Sequence, residues 1–190
     1  ESGSEISNAI TGVKVEGGAI CQIYGGSFIN NKTGIYFYPY THPTVPTYNA
    51  AIIQNAIFET DNVLNNNQNP LYMIMMQSVK GINITNCTLQ NSRGNTLAAA
   101  RGYGIRALYS NFKAQDCDLN GLFYATYASS GTPRIINNSF ANNFRGLYSG
   151  SGTSVEVTGN DFDGNFSFTP ASGNAYSCYI AGNGVNNTLY

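Results

Sequence analysis

Apolar residues in this chain recur in a short phrase rather than in long periods. The clearest copy runs from Pro133 to Gly150, PRIINNSFANNFRGLYSG. A strand alternates its side chains between two faces, so Pro133 and Ile135 point one way and Arg134 and Ile136 the other. Asn137, Asn138 and Ser139 turn a corner, Phe140 returns to the interior, Asn142-Asn143 turns again, and Gly146-Leu147-Tyr148-Ser149 opens a further strand. The same phrase starts at Cys21, Ala51, Ile82, Phe112 and Val155. Ile23, Ile53, Ile84, Ala114, Ile135 and Val157 occupy one place in it, at intervals of 30, 31, 30, 21 and 22 residues. A unit of fixed order and elastic length predicts a solenoid with loops inserted at set corners.

Equivalent positions should then stack. The predicted interior columns are Phe28, Phe58, Leu89, Leu119, Phe140, Phe162 and the Ile23 to Val157 series, with Cys21, Ala51, Ile82, Phe112, Pro133 and Val155 beside it. A column of small residues, Gly26, Ala56, Cys87, Cys117, Asn138 and Asn160, follows the first corner. Buried Asn fits there if its side chain bonds to the backbone of an adjacent turn. Helix signals are confined to Leu97-Ala-Ala-Ala100, and Gly, Asn and Ser punctuate strands of three to five residues. Asn120-Gly121 and Asp163-Gly164 could close hairpins, but the other copies lack such a dipeptide there, so each strand is expected to pair in parallel one coil on.

The phrase of apolar-x-apolar, corner, Asn/Gly/Cys-x-Phe, then Asn-Asn-x-x-Gly-Ile-Tyr resembles right-handed parallel β-helix proteins of the pectate-lyase-like class. It is similar to Asn-rich repeats in secreted surface proteins of Bacteroidota-type bacteria. The resemblance covers about residues 11–182. It implies an all-β, right-handed parallel β-helix of about six coils, forming one domain over 1–190. Right-handedness also fits the usual hand of parallel crossovers.

Composition narrows the function classes. Only 10% of residues are charged and the net charge is −1, which offers neither a basic field for nucleic acid nor a polybasic membrane patch. The longest apolar run, Leu71 to Met76, is far below the roughly 18 residues of a membrane span. Apolar residues make up 42% of the chain and are periodic, which predicts order. The chain begins at Glu1, with no initiator Met and no signal peptide; Val13 starts in mid-coil, and Gly184-Val185 opens another unit. Neither end shows a polar cap, which predicts a segment of a longer protein or a partner covering the open ends.

The resemblance implies chemistry to look for: clustered acids for calcium with an Arg or Lys, or paired aspartates. The column Ser27, Ile57, Thr88, Asp118, Ser139, Asp161 places Asp118 and Asp161 two rungs apart, roughly 10 Å. That exceeds the usual separation of inverting carboxylates. Asp116 and Asp163 lie close by in sequence as further oxygen donors, or all four are solvated turn residues. A second outward column, Gln22, Ile52, Asn83, Lys113, Arg134, Glu156, holds either a base and charge neutraliser or a surface ion pair of Arg134 with Glu156. His42 lies in a loop with no nucleophile motif, and no metal or cofactor is expected. Cys87 and Cys117 share a register, so they are either buried thiols or an inter-coil disulfide; no CxxC spacing suggests zinc. Asn-x-Ser/Thr triplets at Asn31, Asn83, Asn86, Asn137, Asn165 and Asn186 follow from the Asn-rich composition.

Aromatic residues give the stronger functional signal. With Ile35, Leu71, Ile105, Leu122, Leu147 and Ala175 inside the later strand, Tyr36, Tyr72, Arg106, Phe123, Tyr148 and Tyr176 point outward. Such a ladder can stack on sugar rings or dock a protein strip, unless the inserted loops fold over it. The insertions Glu59 to Asn69, Gln90 to Tyr103, Asp163 to Asn174 and Tyr38 to Asn49 adjoin it. The expectation is a non-catalytic extracellular or cell-surface module, a stalk or adhesin-like segment whose partner is a polysaccharide or a cell-surface protein. A polysaccharide lyase or hydrolase is the second reading, and a passenger fragment bound to secretion machinery the third.

Overall fold

The computed structural model describes residues 3–38, 47–48, 50–62, 69–93, 98–165, 175–181 and 188–189. The chain winds through three sheets in turn, and every strand pairing is parallel. The first sheet stacks Gln22–Tyr24, Ile52–Gln54, Val79–Thr85, Asn111–Gln115, Arg134–Ile136, Glu156–Thr158 and Thr188–Leu189, with Thr47–Tyr48 paired at its side. The second runs from Glu5–Ser7 through Ser27–Ile29, Ile57–Thr60, Thr88–Asn91, Asp118–Asn120 and Ser139–Ala141 to Asp161–Asp163. The third stacks Thr11–Glu16, Thr33–Tyr38, Tyr72–Gln77, Tyr103–Leu108, Tyr124–Ser129, Arg145–Ser149 and Tyr176–Ile180. This is a parallel β-helix of about six coils.

Corners explain the wealth of Asn and Gly. The corner between the first and second sheets takes a left-handed backbone: Asn55, Asn86, Asp116 and Asn137 lie at φ 57°, 51°, 54° and 52°. Short Asx side chains tolerate that region and glycine is free in it, so Gly25 and Gly159 serve the same corner. Asn8, Asn30, Gly121, Asn142 and Gly164 do so between the second and third sheets. The Ala-rich segment forms only a short 3-10 turn, Ala98–Arg101. Pro133 sits just before its strand, where its carbonyl accepts from Glu156 N at 3.1 Å and no ladder donor is missing.

The interior columns stack as the repeat predicts. Phe28, Phe58, Leu89, Leu119, Phe140 and Phe162 are in register, and both the Phe28–Phe58 and the Phe140–Phe162 centroids lie 4.7 Å apart. The series from Ile23 to Val157 is likewise continuous. In the small column, Asn138 is buried; its Nδ2 donates to Ala114 O at 3.1 Å, and its Oδ1 accepts from Cys117 N at 3.0 Å. Asn160 repeats this with Ile135 O and Asn138 N. Cys87 and Cys117 stand in for Asn: their thiols donate to Ile53 O and Ile84 O of the preceding coil, and both are free cysteines. A second buried ladder, Asn143 over Asn165, pins the later corner.

The third sheet departs from the expected register. Ile35, Ile105 and Leu147 share an interior column as predicted, but Ile74, Thr126 and Cys178 complete it. Leu71 is 40% exposed rather than interior. Leu122 is buried, but it precedes its strand and reaches under Gly104 instead of joining that column. Ala175 also precedes its strand. On these strands two consecutive residues are buried, Gly104 and Ile105 for example. At Gly104 an added Cβ would lie 2.6 Å from Ala125 O, and Gly12, Gly34 and Gly146 occupy the same place in other coils. With two consecutive residues inward, outward positions fall three apart.

Candidate functional site

The outer face of the third sheet carries two outward columns. One reads Lys14, Tyr36, Met75, Arg106, Tyr127, Tyr148, Tyr179. The other, three residues earlier on each strand, reads Thr11, Thr33, Tyr72, Tyr103, Tyr124, Arg145, Tyr176. Of the six residues predicted to form one ladder, Tyr36, Arg106 and Tyr148 share the first column, and Tyr72 and Tyr176 belong to the second. Phe123 stands one residue before its strand, stacked on Phe144 at 5.5 Å. All six lie on one side of the solenoid and are half-buried. The single-column arrangement is therefore corrected to a two-column strip.

Sequence reasoning missed Tyr103, Tyr124, Tyr127, Arg145 and Tyr179. A signal for them was present: Tyr72-x-x-Met75, Tyr103-x-x-Arg106, Tyr124-x-x-Tyr127, Arg145-x-x-Tyr148 and Tyr176-x-x-Tyr179 repeat a spacing of three.

The rings form a herringbone. Tyr103 and Tyr124 are parallel at 4.9 Å; Tyr127 and Tyr148 are parallel at 4.8 Å, and Tyr148 and Tyr179 at 5.2 Å. The two stacks meet nearly at right angles, 88° between Tyr124 and Tyr127 and 84° between Tyr124 and Tyr148. Rung spacing near 4.8 Å suits offset stacking, so the sheet itself sets the ring separation. Within the strip Tyr124 is buried, Tyr103, Tyr127 and Tyr148 are half-buried, and Tyr179 is exposed.

Two guanidiniums are set into this strip. Arg106 lies 5.0, 5.8 and 5.9 Å from the Tyr72, Tyr103 and Tyr127 centroids, and its Nη1 donates to the Tyr72 hydroxyl at 2.7 Å. Arg145 lies 4.7 Å from Tyr124, 5.2 Å from Tyr176, 5.3 Å from Phe144 and 5.4 Å from Phe123, and donates to the Tyr124 hydroxyl. Burial pushes the Tyr103, Tyr148 and Tyr176 phenols above their ordinary range, while the neighbouring guanidiniums pull the other way. The strip is thus neutral in its phenols and positive in its centre.

Elsewhere the predicted residues hold one another. Lys113, Arg134 and Glu156 stack on adjacent rungs as expected. Arg134 grips Glu156 through Nε at 2.7 Å and Nη2 at 3.2 Å, which raises the guanidinium pKa and lowers that of the carboxyl. Lys113 Nζ donates to Gln115 Oε1 at 3.0 Å, beside a shallow groove of about 310 Å³. Ser139 separates Asp118 from Asp161. Among the described residues no three His, Cys, Asp or Glu side chains converge on a metal position, and no helix is long and apolar enough to cross a membrane. His42 lies outside the described residues.

Residues 11–190 match the family profile described as a right handed beta helix region. The chain belongs to that family, which fixes the hand of the solenoid. No curated protein sequence and no solved structure gives a match.

Proposed function

We propose that this member of the right-handed β-helix family is a non-catalytic, extracellular binding module, a rigid adhesin-like stalk that holds a polysaccharide along its third sheet. The observation that carries this reading is the Tyr–Arg herringbone, which spans the coils from Tyr72 to Tyr179 without interruption. Tyrosine and arginine are the side chains that dominate recognition surfaces, because they bring large contact area at little entropic loss. Here the rings already fix one another, so little freedom remains to be lost on binding. A polymer laid along the axis meets at least one Tyr on every coil from Tyr72 to Tyr179.

The lyase or hydrolase alternative has weaker support, since Arg134 is gripped by Glu156 and Lys113 by Gln115. A glycan array tests the reading. The wild-type chain is expected to be retained on a subset of polysaccharides. Tyr127→Ala with Tyr148→Ala should weaken retention roughly tenfold or more. Retention unchanged by that double substitution, in a protein with wild-type circular dichroism, would remove the third sheet as the binding face.

A further inference from the structure

We infer that Arg106 is an anion subsite of this face, so that the polysaccharide it takes is acidic, bearing carboxylate or sulfate groups; this rests on the reading of the third sheet as a glycan platform. The coils that carry the herringbone are free of acids on their third-sheet strands. The strands Tyr72–Gln77, Tyr103–Leu108, Tyr124–Ser129, Arg145–Ser149 and Tyr176–Ile180 contain two arginines and no Asp or Glu. The acid on this sheet, Glu16, lies on its first strand, Thr11–Glu16, away from these coils; Glu5, Asp118 and Asp161 lie on the second sheet and Glu156 on the first.

Lys14, on the first strand of this sheet, pairs with Glu16, and Arg134, on the first sheet, with Glu156. Arg106 is half-buried, is bridged to no carboxylate among the described residues, and has an Nε that is buried without a hydrogen-bond partner. A guanidinium withdrawn from water needs acceptors and a counter-charge. Three rings and the Tyr72 hydroxyl hold its plane in place. A carboxylate or sulfate docking on the fork would supply acceptor and counter-charge together. Arg145, two coils further along the same strip, adds a second positive charge to the field that a polyanion would meet.

Binding to alginate (carboxylate) and dextran sulfate (sulfate) should be compared with binding to carboxyl-reduced alginate and plain dextran. The expected result is retention of at least one acidic polymer, roughly tenfold or more above its neutral counterpart, weakening as salt is raised. Which acidic polymer is held separates carboxylate from sulfate. Arg106→Gln should lose roughly tenfold or more, and Arg106→Lys, which keeps the charge without the fork, should fall between. Thermal midpoints of both variants establish folding; if the Gln variant does not fold, the Lys variant carries the comparison. Neutral and acidic forms bound equally, or folded Arg106 variants bound like wild type, would overturn the subsite and leave the platform standing. Retention of none of the four polymers, nor of any array glycan, would sink the platform itself.

Discussion

Thr126→Val is the sharpest test of the register on which the candidate site depends. Thr126 lies in the interior column between Ile105 and Leu147 and is fully buried. Its hydroxyl has no hydrogen-bond partner. An unpaired buried hydroxyl costs about 1–3 kcal/mol in proteins, and valine replaces it with a methyl group of the same shape. Val also suits a strand at least as well as Thr. The substitution should therefore stabilise the fold by about 1–2 kcal/mol. For a domain of this size that corresponds to a rise in thermal midpoint of roughly 2–8 °C. Urea denaturation gives the cleaner reading, as a higher midpoint at unchanged slope. Glycan retention should not change, because the side chain points away from the herringbone. A lower midpoint, with no hydroxyl proton protected from exchange, would mean that the hydroxyl faces solvent. The residues at 124 and 127 could not then both be outward, and the two-column strip would be wrong.

Two further outcomes follow from the same geometry. Asn138→Ala removes the acceptor of Cys117 N and the donor to Ala114 O inside the core, and should destabilise by about 2–4 kcal/mol in the same urea assay; a loss below about 0.5 kcal/mol would show that this ladder holds nothing together. Burial raises the Tyr103, Tyr148 and Tyr176 phenols above the ordinary value of 10.0, so the folded state keeps those protons longer than the unfolded chain. Their stabilising contribution is complete below pH 10 and is lost as pH rises from there through the folded-state values. An ultraviolet phenolate titration should accordingly show a fraction of tyrosines ionising late and together with unfolding, whereas a single step near the ordinary value for all of them would contradict the buried herringbone.

The first two sheets were legible because they are tightly constrained. Each coil there has a three-residue apolar beat, one left-handed Asx or Gly, and a return to Phe or Leu, as in Ile135, Asn137 and Phe140. Few other sequences fit such a corner, so the columns could be read directly. The third sheet follows the second after connections of variable length, from Thr60 to Tyr72, Asn91 to Tyr103 and Asp163 to Tyr176 among them. Register therefore cannot be carried forward from the preceding corner. A local triplet of small, apolar and outward residue had to serve instead, and it fits two frames three residues apart. Asn174-Ala175-Tyr176 looks as good as Ser177-Cys178-Tyr179, and only pairing with Leu147 and Tyr148 selects the latter. Strict alternation also failed where two consecutive residues face inward, which no period-two argument anticipates. The face of the site was thus readable, but its width was not.

The width matters for what the strip can do. A single column of outward rings on a solenoid would be a line of separately mobile side chains, each free to turn over its neighbour. Two columns three residues apart bring the stacks into contact, so that Tyr124 meets Tyr103 in parallel and both Tyr127 and Tyr148 nearly edge-on. Each ring then has neighbours on its own coil and on the next, and every rotamer is set by several others. That order is imposed by the rung spacing and the three-residue offset of the columns rather than by a ligand. A guanidinium placed in such a strip is equally confined, which is why Arg106 can stay half-withdrawn from water with a buried Nε unpaired. On the first sheet, by contrast, Arg134 stands in the open and closes on Glu156. The same side chain has a satisfied ion pair on one face and an unmet need for an acceptor on the other, and the difference comes from the rings around it.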